Sequence, residues 1–132
     1  MEVTMSYYFS KTLNVSFEEA VAKVTEEMKK EGFGILTDID VQATLKKKLN
    51  ADFRKYRILG ACNPPFAYQA LQAEDKIGLM LPCNFIVQEL SEGKVEVAAI
   101  DPITSMQAIN NPLLSGVAQQ VHAKLKKVIE SL

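Results

Sequence analysis

Apolar residues recur along this chain with two different periods, and the switches between them are sharp. From Thr4 to Leu13, Met5, Tyr7 and Phe9 hold alternate positions. Period two with aromatic side chains predicts a half-buried strand. Ser16, with Glu19 three residues on, has the form of a capping box, in which each side chain satisfies an otherwise orphan backbone N–H. Phe17, Val21, Val24 and Met28 follow at helical steps, while Lys23, Glu26, Lys29 and Lys30 fall on the opposite side. Gly32 stands where a left-handed C-terminal cap would end that helix.

Period two returns at Phe33, Ile35, Thr37 and Ile39, which predicts a second strand. Asp40 is placed to cap a short helix with Val41, Leu45 and Leu49 as its buried stripe. Tyr56 to Cys62 reads as a third strand closed by a turn signal. Asn63-Pro64 reads as a helix start, with Asn accepting the first N–H bonds and Pro filling the first helical position. Phe66, Ala67, Ala70 and Leu71 would line this helix. Pro82 confines the next strand to Cys83 through Leu90. Ser91-Glu92-Gly93 joins it to Lys94–Ile100, where Val95, Val97 and Ala99 face one way, so the two form a hairpin. Asp101-Pro102 looks like the cap and first turn of a short helix near Met106. Asn110-Asn111-Pro112 opens a long amphipathic helix with Leu114, Val117, Val121, Leu125, Val128 and Leu132 on its stripe.

The hairpin rules out a purely parallel sheet. The expected architecture is α+β: a mainly antiparallel sheet with helices packed on one face, in the order strand, helix, four strands with short helical inserts, helix. No linker, repeat or low-complexity tract interrupts the 132 residues, so a single domain over 1–132 is expected.

Composition narrows the classes. A hydrophobic fraction of 48% and a charged fraction of 23% are those of a chain that folds around a core. The 15 basic and 16 acidic side chains leave a net charge of −1, with no global field to attract nucleic acid. Residues 1–15 lack a basic start followed by an apolar run, and no stretch nears the ~20 apolar residues of a membrane-spanning helix. No nucleic-acid partner, no membrane and a cytoplasmic location are therefore expected; in that compartment Cys62 and Cys83 stay reduced.

Gly60-Ala61-Cys62-Asn63-Pro64, with Ala67 and Leu71 after it and Leu81-Pro82-Cys83-Asn84 further on, resembles the family called domain of unknown function 302. The order of elements is similar over essentially the whole chain. The resemblance implies a TATA-binding-protein-like fold class, a β-α-β4-α arrangement and a homodimer. It implies no reaction and no cofactor, and a shared fold class does not carry DNA binding with it.

Cys62, Asn63 and Cys83 are the candidate ligand-binding residues. If the third and fourth strands are antiparallel neighbours, the end of one lies beside the start of the other, which brings the thiols near each other. The sequence does not say whether they share a face. Cys62 would also sit at a helix N-terminus, where the dipole favours a thiolate. Against this stands ordinary packing, since free cysteine behaves as a small buried hydrophobe. Two thiols and one distant histidine make a poor zinc set, and no metal is expected. His122 reads as a boundary residue of the last helix, or else as a base for a thiol. Lys46, Lys47, Lys48, Arg54, Lys55 and Arg57 read as a solvated face, or else as a dock for an anion, without an aromatic platform or glycine-rich loop. Asp38, Asp40 and Asp101 lie near strand ends, the last two as caps. Three functions remain: a noncatalytic domain that binds or senses a small molecule, a thiol-dependent or redox enzyme using Cys62 with Cys83, and a dimeric interaction module.

Overall fold

The computed structural model of the protein describes residues 6–132. Thr4 and Met5, the start of the expected first strand, lie outside them. The chain runs through β1 (Tyr8–Leu13), α1 (Phe17–Lys30), β2 (Gly34–Asp40), α2 (Val41–Leu49), β3 (Tyr56–Cys62) and α3 (Pro64–Ala73). A 3-10 turn (Asp75–Met80), β4 (Cys83–Ser91), β5 (Lys94–Ile100), α4 (Pro102–Ser105) and α5 (Leu113–Glu130) follow. The strands form a five-stranded sheet in the order β1-β5-β4-β3-β2, and every neighbouring pair is antiparallel. The α+β architecture is as the periodicity predicts.

One sheet face carries α1 and α5. Leu59, Phe85, Val87, Val95, Val97 and Ala99 point from the strands into a core with Val24 and Met28 of α1 and Leu125 and Val128 of α5. The seam is held at its ends by local chemistry. Ser16 Oγ accepts the Glu19 N–H at 3.1 Å and starts α1. At the other end Phe33 N–H donates to the Met28 carbonyl and Gly32 N–H to that of Lys29, the paired bonds of a Schellman cap. That cap needs the left-handed φ of +86° at Gly32.

Two expectations fail. The stripe Val41, Leu45 and Leu49 on α2 is not buried; Leu49 is 70% exposed. The helix lies along the β2–β3 edge, where too little sheet remains to cover it. In β2 the simple alternation breaks, because the pairing shifts between Ile35 and Thr37. Ile35 pairs with Ala61 on the helix-covered side, whereas Thr37 and Ile39 pair with Gly60 and Ile58 on the open side. Leu36 is the extra residue of this bulge, 67% exposed.

A second, smaller core of Ala70, Ile77 and Leu114 joins α3, the 3-10 turn and α5. The buried Ile77 anchors the turn, which the sequence pattern did not predict. No helix among the described residues is long and apolar enough to cross a membrane.

Candidate functional site

The two cores do not fully meet. Between them lies an apolar cleft of about 340 Å³, inside the range of small-molecule sites, roughly 300–1,000 Å³. The ends of β3 and β4 form its floor, with Ala61, Cys62 and Cys83. α3 contributes Phe66, Ala67 and Ala70, and α5 contributes Val117, Ala118 and Val121. Alanines on converging elements leave the room that larger side chains would fill. Leu36, turned out of the ladder by the β2 bulge, and the exposed Leu71 and Gly78 also line the cleft and mark where it opens to solvent.

All three candidate residues border this cleft. Cys83 pairs directly with Ala61 across the β3–β4 ladder, so Cys62 occupies the next pleat position. Cys83 is buried and Cys62 half-buried, and both are free thiols. Burial, with a smaller contribution from the neighbouring Cys62, pushes the Cys83 thiol up to about 11.

Asn63 has a different job from the one its position in the sequence implies. Its side chain caps no N–H of α3. Instead Nδ2 donates to the Glu31 carbonyl at the end of α1, at 3.1 Å, and the residue is only 8% exposed. Gly32 makes this approach feasible: a Cβ there would stand 3.1 Å from Nδ2. The α1 C-terminus and the α3 N-terminus are thus tied together at the edge of the cleft. Pro64 and Pro65 occupy the first two positions of α3 and remove two of its orphan donors.

The other candidates lie elsewhere. His122 Nδ1 is 2.8 Å from Asp101 Oδ1, and its ring meets Phe9 edge-on at 4.9 Å. Asp101 Oδ1 also accepts the Ile103 N–H and caps α4, as Asp40 caps α2 through the Ala43 N–H. His122 does not line the cleft, so the structure does not place it as a base for either thiol. Half of the basic cluster is ion-paired: Lys46 with Asp52, Lys55 with Glu18 and Arg57 with Asp38. Contrary to the sequence reading, aromatic rings do accompany it. The Arg54 guanidinium lies 4.4 Å from the Phe53 ring centre and 5.6 Å from that of Tyr56. Among the described residues no group of three or more His, Cys, Asp or Glu is placed to hold a metal ion.

The open sheet face has a hollow of its own, about 370 Å³, lined by Tyr7, Tyr8, Tyr56, Asn84, Ile86 and Gln88 among others. A polar chain crosses it: Arg54 Nε donates to Gln88 Oε1 at 2.8 Å, and Gln88 Nε2 donates to Glu96 Oε1 at 2.7 Å.

Fold and cleft define a class of protein: an antiparallel α+β domain, helices on one sheet face, with an apolar cleft at the strand ends. The family model "Domain of unknown function DUF302" matches residues 9–132, and the chain belongs to that family. It is similar to the crystal structure of an uncharacterized conserved protein DUF302 from Bacillus stearothermophilus, with 25% identity and a TM-score of 0.87. That similarity covers 96% of this chain and 98% of the other. No curated protein matches.

Proposed function

We propose that the protein is a noncatalytic binding or sensing domain whose small-molecule ligand occupies the cleft beside Cys62, Asn63 and Cys83. The observation that carries this is the cleft of about 340 Å³ between the two cores, with an almost wholly apolar lining. A concave, largely apolar surface of this size is where a small apolar ligand gains from leaving water. The protonated Cys83 serves such a site as an apolar wall. It is a poor resolving thiol, because exchange needs a thiolate.

The test is native mass spectrometry of gently purified protein beside an Ala67→Trp variant, with both melting curves recorded. A bound mass on the wild type, absent from a variant that still melts cooperatively, is the expected result. A bare wild-type mass, together with no melting shift across a library of small apolar compounds, would overturn the reading.

A second reading concerns the open face. Arg54, Gln88 and Glu96 form a row with a positive and a negative end around a neutral centre. A two-fold axis near Gln88 would set Arg54 of one protomer against Glu96 of the other, with Gln88 at the centre. Charge complementarity of this kind suits a second copy of the chain, in an interface that uses one patch twice.

A further inference from the structure

We propose that the ligand of the cleft is an uncharged, predominantly apolar molecule carrying one hydrogen-bond donor, which it directs to Asn63 Oδ1. The proposal rests on the reading of the cleft as a ligand site and narrows what that site takes.

The lining carries no Lys, Arg, His, Asp or Glu. A carboxylate or phosphate entering it would shed hydration and find no cation in exchange, so its desolvation would go uncompensated. The helix that starts at the cleft does not supply the missing charge either. Pro64 and Pro65 have no N–H to offer, and Ala67 N–H is already bonded to the Asn63 carbonyl. The usual anion site at a helix N-terminus is therefore mostly dismantled here. The basic residues of the chain stand outside the cleft, several of them already paired.

A cation fares no better, since the lining holds no carboxylate and the nearby Glu31 carbonyl already accepts from Asn63 Nδ2. Apart from the weakly polar thiols of Cys62 and Cys83, what remains polar among the lining side chains is the other end of that amide. Asn63 borders the cleft, and with Nδ2 committed and the side chain capping no backbone N–H, its Oδ1 keeps its acceptor capacity. One acceptor in a greasy cleft selects an alcohol, phenol or arylamine over a carboxylate of the same skeleton. The volume corresponds to about eleven waters at ~30 Å³ each, so a medium-chain or two- to three-ring compound is the right size.

Matched pairs, neutral against anionic on the same skeleton, test this on the unaltered protein. N-phenylnaphthylamine is neutral with a single N–H; anilinonaphthalene sulfonate is its anionic counterpart. The neutral probe should bind saturably at one site, at least about tenfold tighter than the sulfonate. Decanol should displace it, and decanoate at neutral pH should not. Ala67→Phe, checked by its melting curve, should remove the saturable signal; if that variant does not fold, the decanol–decanoate comparison decides alone. Equal binding of both members of each pair at a single site would overturn the ligand class while leaving the cleft as a binding site. If neither the neutral probe nor decanol binds saturably, the cleft reading itself fails.

Discussion

Asn63 shows how a residue can look explained and still be misread. Asn before Pro reads as a helix cap, and Asp serves as well as Asn in that role. The structure instead uses the amide as a donor to the Glu31 carbonyl. Asn63→Asp should therefore destabilise the protein at least as much as Asn63→Ala, each by about 1–3 kcal/mol in chemical denaturation. A capping role would make Asp nearly neutral. Cys83 carries a second residue-scale consequence. Its folded pKa of about 11 lies above the ~8.5 of a free thiol. The folded state thus holds this proton more tightly, and the associated stability is fully present below the unfolded pKa and lost as pH rises through the folded one. Melting temperature should fall between about pH 8.5 and 11 more steeply in the wild type than in Cys83→Ala. In the native protein near pH 8, iodoacetamide should label half-exposed Cys62 well before Cys83, as peptide mapping would show.

At the scale of elements, local signals were legible and relational ones were not. Tyr56–Cys62 and Lys94–Ile100 were bounded correctly because apolar alternation and turn residues are properties of neighbouring positions. The Ser16, Asp40 and Asp101 caps follow from the same kind of short-range chemistry. The bulge at Leu36 was hidden, because Phe33, Ile35, Thr37 and Ile39 look like one unbroken face until the partner strand fixes the register. The stripe on α2 misled for a similar reason: periodicity says which side is apolar, not whether anything covers it. Cys62, Asn63 and Cys83, the candidates for ligand binding, border one cleft, but nothing in the sequence reveals the space between the two cores. The β3–β4 junction also depends on a close approach. A Cβ at Gly60 would lie 2.7 Å from Pro82 Cγ and would press on Thr37 as well. Gly60→Ala should cost about 1–3 kcal/mol, measured by urea unfolding.

For the whole molecule, the open sheet face is the feature with the widest reach. If a second copy covers it, light scattering coupled to size-exclusion chromatography will show a dimer. Glu96→Lys should shift it toward monomer, by placing like charges together, and adding Arg54→Glu should restore it. A wild type that stays monomeric at high micromolar concentration sinks that reading. Assembly by stacking faces also leaves the sheet's margins unused, and here the kink at Leu36 has a consequence of another kind. A straight outer strand offers its free N–H and C=O groups as a template on which further chains can add, one after another. With one residue too many in β2, and Asp38 and Asp40 flanking the far half, an incoming strand that matches the ladder on one side of the kink is out of step on the other. The same displaced leucine that borders the cleft thus discourages the sheet from growing by strand addition at its β2 edge.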